Sequence, residues 1–272
     1  MSQLIIVLAA VTAIAAAIRG TWSPCGLSML STITPLAERG RGRRYAVTVG
    51  WFVAGAVVGG LTLGAGAALL ALGVRATGLS TTAALALAGV AALITAASDL
   101  KVAGVSFWDH PRQVNEEWLD QYRGWVYGAG FGWQIGAGLV TYIMTAAVYL
   151  VVVLAALTAN PLTALAIGAL FGFTRGMAIL LGSRITSPAR LTSFHRHFAA
   201  WAEPVRRAVI GVQLVVAVVA CTAVWGVVGA VAAVAVSAAF VGVAVVRSAS
   251  TRSSVGPVPV AAPTVRSRPT AA

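Results

Sequence analysis

Runs of more than twenty residues without a single charge recur along this chain; Val47–Val74 and Ala208–Val246 are two of them. Lipid offers a polypeptide backbone no hydrogen-bond partners, so only helices and closed barrels cross it. The runs are continuous rather than alternating, which excludes a barrel and leaves an all-α, polytopic transmembrane bundle. Charged residues make up 10% of the chain, far below the quarter or so of a water-soluble domain. The bilayer is therefore the first partner.

The net charge of +12 does not point to nucleic acid, because the arginines sit in the segments between apolar runs. That placement is a topology signal. The runs cover about 3–37 (interrupted at 19–26), 45–72, 79–98, 125–157, 162–182 and 208–246. The last is too long for one span of ~20 residues, and Gly226 and Gly229 mark a turn between two short helices. ERGRGRRY, the basic stretch 183–207 and the arginines from Arg247 onward fall on one side only if there are seven spans. The positive-inside rule then places the N-terminus outside. Met1-Ser2-Gln3 lacks the basic residues of a signal peptide, so the first run is read as a retained span. The expected organisation is a transmembrane domain, 1–246, and a disordered cytoplasmic tail, 247–272. The alanine-rich, nearly lysine-free composition suits a GC-rich bacterium, and its cytoplasmic membrane is the expected location.

The stretch 99–124 carries most of the acids. Within it NEEWLDQYRGW reads as an amphipathic helix with Trp118, Tyr122 and Trp125 on one face. Lying at the headgroups is the simpler reading, and docking a basic soluble protein is the other.

Ser23-Pro24-Cys25-Gly26 interrupts the first run. Proline breaks a helix interior but suits its first turn behind a serine cap. The expectation is a broken first span, with Cys25 at the N-terminus of the second piece, where helix amides stabilise a thiolate. An inert buried cysteine is the plain alternative. Span four, GAGFGWQIGAG, carries five glycines, which signals close helix contact or a second interruption. Three crossings separate the two features. An odd number inverts the second copy, so inverted repeats over about 3–98 and 125–229 are expected, with a site between the broken helices.

WSPCGLSMLS followed by a basic loop resembles the first span of the cytochrome c biogenesis transmembrane family, of the CcdA and DsbD membrane-domain type. GFGWQIGAG resembles its fourth-span motif. The resemblance implies two cysteines, one per repeat, forming a reversible disulfide. They would take electrons from a cytoplasmic thioredoxin-like protein and pass them to an extracytoplasmic thiol protein, with no further cofactor. Cys25 and Pro24 match, but Gly136 stands where the second cysteine should be and Ile135 where its proline should be. Cys221 in the last run is the one other thiol available to pair with.

Two function classes follow. One is a thiol–disulfide electron carrier working through Cys25. The other is a transporter-like relative moving a small solute, anions included, through a cavity lined by Arg19, Ser23, Gly26, Gln134, Gly136 and Thr141. Arg19 and Arg175 both fall inside apolar runs, where an arginine faces a partner, a cavity or the interface. Under the N-out orientation Arg19 is expected to sit deep, while Arg175 is expected to snorkel. His195 and His197, two residues apart, share no helix face, which argues against a metal site. No phosphate loop, paired catalytic carboxylates or Ser/His/Asp set is present, so the sequence supports no self-contained hydrolase or kinase.

Overall fold

The structure, a computed structural model, describes residues 2–102, 123–138 and 143–254. Among them every element is helical: α1 (Ser2–Gly20), α2 (Pro24–Thr32), α3 (Pro35–Gly40), α4 (Tyr45–Ala76), α5 (Thr81–Asp99), α6 (Gly124–Gly136), α7 (Ala147–Leu157), α8 (Pro161–Met177), a 3-10 turn at Ala178–Gly182, and α9 (Pro188–Ser254). Five helical segments in α1, α4, α5, α8 and α9 are long and apolar enough to cross a membrane. The chain is thus the helical, multi-pass membrane bundle that its apolar runs demand. The amphipathic stretch from Asn115 lies outside the described residues except for Arg123 to Trp125, as does most of the tail. Residues 247–254 continue α9.

Small residues set the packing. The α4 face Phe52, Ala56 meets Gly132 and Gly136 of α6 at backbone contact, and its Ala56–Gly60 stretch meets Gly172 of α8. Glycine lets two helix axes approach until main chain touches main chain, the usual substitute for a hydrophobic driving force inside lipid. The order of contacts makes α6 parallel to α4 and α8 antiparallel to it.

The same contacts fix depth. Gly136 lies against Ala56, as does Gly176, the neighbour of Arg175. The Arg175 guanidinium in turn lies against Gly20, the last residue of α1. The break at 21–23 and the end of α6 at Gly136 therefore both lie at the level of Ala56. At the helical rise that level is about 30 Å from the Ala76 end of α4 and about 17 Å from the Tyr45 end. The first break is not at mid-span: α1 alone is about 28 Å long, and α2 continues toward the arginine-rich face.

Gly226, with φ 61° and ψ −140°, turns α9 back on itself. Its second arm lies along the first: Val234, Ser237, Ala238 and Val241 face Leu214, Val215 and Val218 across an apolar groove of about 630 Å³. The arm ends with Arg247 donating to the Lys101 carbonyl at 2.9 Å, on the side where Arg206 donates to the Asp99 carbonyl at 3.2 Å. The turn expected at Gly226 is present, because no L-side chain occupies that conformation comfortably.

Two cores result. The larger, mostly alanine, leucine and valine, joins α1, α5, α7, α8, the far half of α4 and the first arm of α9. The smaller is aromatic and holds Cys25, Met29, Leu30, Phe52, Tyr127, Phe131, Ile179 and Phe198.

Candidate functional site

The Ser23 hydroxyl accepts from the Gly26 amide at 3.1 Å, with Pro24 in the first turn of α2. Serine supplies the cap and proline a preset φ, so the local sequence alone writes this helix start. Gly26 has no room for a Cβ, which would overlap the Thr21 carbonyl. That contact folds the 21–23 linker tightly over the new helix.

Cys25 is buried within the aromatic core. Arg175, only 2% exposed, reaches it from α8: the guanidinium lies within electrostatic range of the sulfur. It donates a long hydrogen bond, 3.5 Å, to the Gly20 carbonyl, and its Nε has no acceptor. Arg175 thus does not snorkel. A helix N-terminus, a thiol and a buried cation thus meet in one part of the fold.

α2 is covered from the far side by the first turns of α9. The Trp22 ring stacks on Phe198 at 4.4 Å and 5°, and its Nε1–H donates to the Phe198 carbonyl at 2.7 Å. Ser31 Oγ and His195 Nε2 lie 3.0 Å apart.

Arg19 belongs to a different cluster. It ends α1 at 7% exposure, with Nε and one terminal nitrogen lacking acceptors, and its charge is felt by Asp99, Arg206 and Glu203. Asp99, at the end of α5, receives the Thr145 hydroxyl, the Ala146 amide at 2.8 Å and Gln213 Nε2 at 2.8 Å. A carboxylate so placed caps α7. The deep Arg19 expected from the sequence stands a full span's length from the start of α1, beside a counter-charge rather than beside Cys25.

Gly136 is the decisive departure from the two-cysteine pattern. A Cβ there would overlap the Ala56 carbonyl, so helix packing has taken the site a second thiol would need. Cys221 offers no replacement in this arrangement. Its sulfur packs against Gly89 between α5 and α9, outside the Cys25 core, and no disulfide joins the two cysteines. Gln134 is half-buried on α6; Thr141 lies outside the described residues. Among the described residues no three His, Cys, Asp or Glu side chains could hold a metal ion.

Glu38 escaped notice in the sequence. Fully buried on α3, it takes the Thr48 hydroxyl at 2.5 Å, the Tyr127 hydroxyl at 2.6 Å and Arg41 at 3.3 Å. Arg43 sits over the Tyr127 ring. This knot ties α3, α4 and α6 together beneath the Cys25 core. The only signal was an acid in an acid-poor chain, and its arginine neighbours read as topology.

No family model matches the chain, and no solved structure matches it. It is similar to the methylamine utilization protein MauF of Paracoccus denitrificans, 32% identical over 177 residues, 63% of this chain and 62% of the relative. It is also similar to MauF of Paracoccus versutus, 31% identical over 172 residues, 61% of each chain, and of Methylorubrum extorquens, 31% identical over 147 residues, 52% of this chain and 50% of the relative. The chain thus spans from 50% to 62% of the length of the curated relatives it matches. Their name links them to methylamine utilization and to neither thiol exchange nor transport.

Proposed function

We propose that this chain is a seven-span protein of a bacterial cytoplasmic membrane, N-terminus outside, that carries a single exchangeable thiol at Cys25. The convergence of Arg175 and the α2 N-terminus on that sulfur carries the reading. ERGRGRRY, Arg206 and Arg247 lie toward one face, which supports the orientation. The pairing of α1, α2, α4 and α5 with α6, α7, α8 and the first arm of α9 supports inverted repeats.

With one cysteine, the chemistry runs through mixed disulfides. The Cys25 thiolate attacks a partner disulfide, forms one S–S bond and releases a thiolate. A dithiol protein of thioredoxin type then attacks the Cys25 sulfur, expels the first partner's other thiol, and closes its own disulfide as Cys25 is regenerated. The dithiol is oxidised and the first partner reduced by the same two electrons. Methylamine utilization is the setting that the relatives' name suggests for this chain.

Acid-quenched cells carrying wild type, Cys25→Ser or Cys221→Ala test the reading by gel shift after thiol trapping. Cys25-dependent adducts that collapse with dithiothreitol are expected in wild type and Cys221→Ala. Their absence in every strain overturns it. The unpartnered atoms of Arg19 and Gln213 around Asp99 favour a second reading, a polar transit site for a small solute. Under it, Arg19→Ala abolishes solute movement and Cys25→Ser does not.

A further inference from the structure

Cys25 cannot exchange with any protein in the conformation described, because 2% of it is exposed. Part of the core that buries it comes from the start of α9. Phe198 belongs to the aromatic core around the sulfur and is held by the stack and hydrogen bond from Trp22. The Ser31–His195 contact closes the far end of α2. These contacts are aromatic or neutral, and Phe194 adds to them by packing on the same core. The segment also has a discontinuity at each end. The 3-10 turn Ala178–Gly182 and residues 183–187 precede it, and Pro204 stands inside α9. Proline has no N–H to donate to the preceding turn, so the helix there lacks one rung. Glu203 bridges to Arg206 and Arg207, at 2.7 and 2.9 Å, and holds the helix together across that gap.

We propose that residues 188–203 form a lid over Cys25, latched by Trp22 against Phe198 and swinging about Pro204, and that a thiol partner reaches the sulfur by displacing Phe198. The partner face that fits is apolar or aromatic around its cysteine, to replace the lost stack, and acidic at its rim, to meet Arg190 and Arg196. The proposal rests on the thiol reading of Cys25 for its purpose, but the lid is testable without it.

The test uses the full chain in detergent with Cys221→Ala, so that Cys25 is the single thiol. Alkylation by N-ethylmaleimide is followed by mass. Labelling of a covered group tracks how often the cover opens. Phe198→Ala is expected to speed labelling by about tenfold or more, since it removes both a stack and a buried ring. Trp22→Phe keeps an aromatic ring but loses the hydrogen bond, and speeds labelling by a few-fold. Arg75→Ala, exposed at the far end of α4, leaves the rate unchanged. Wild-type rates in both Phe198→Ala and Trp22→Phe overturn the lid; if Phe198→Ala does not fold, Trp22→Phe decides alone. Fast labelling in the opened variants without partner capture in cells sinks the thiol function and leaves the lid standing.

Discussion

Gly136 and Ala56 touch backbone to backbone, and that contact occupies the place where the resemblance to two-cysteine electron carriers requires a second thiol. Gly136→Cys is therefore not a restoration. It is expected to lower stability by ~2 kcal/mol or more, as overpacked interiors do. Thermal unfolding in detergent checks the loss, and thiol trapping is expected to find no new disulfide with Cys25.

The Glu38 knot supplies the second prediction. Removing one partner of a buried charge leaves the rest stranded. Glu38→Ala is expected to cost ~3 kcal/mol, and Tyr127→Phe, which loses one hydrogen bond to a charged group, ~1.5 kcal/mol. Denaturation with the two single variants and the double variant checks both figures, and the double is expected to cost less than their sum.

Asp99 and Arg19 give the third. Asp99 is a partly buried counter-charge whose field Arg19 feels, together with that of Arg206. Asp99→Asn keeps an acceptor for Ala146 but removes that charge. A double-mutant cycle with Arg19→Met is expected to show coupling of at least ~0.5 kcal/mol. A value near zero would mean that the two charges act independently.

The fourth concerns Gly226. Its backbone conformation, φ 61° and ψ −140°, costs an ordinary L-residue ~1–3 kcal/mol. Gly226→Val is expected to weaken docking of the second arm of α9. Protease sensitivity between the arms, compared with wild type, reads this out, while a substitution at Gly211, where a Cβ meets nothing, leaves it unchanged.

What the sequence disclosed was local. Ser23-Pro24 announces a helix start because cap and proline act within one turn, and Gly226 announces a reversal because only glycine suits its backbone. The apolar runs disclosed the class of fold for the same reason: each helix meets lipid on its own account. Long-range partnerships stayed hidden. Nothing near Glu38 in the chain points to Tyr127, eighty-nine positions away. Nothing near Cys25 points to Arg175 or Phe198. Arg19 shows the same limit: nothing near it in the chain points to Asp99 or Arg206. The reading of Gly136 had the right residue and missed the reason, because a missing cysteine looks like loss until Ala56 is seen filling its place.

The reversal at Gly226 has a bearing on geography. Under the proposed seven-span arrangement, a chain that doubles back emerges from the lipid on the face it had left, and one that runs straight emerges on the other. In that arrangement a single glycine turn sets the side on which Arg247 stands.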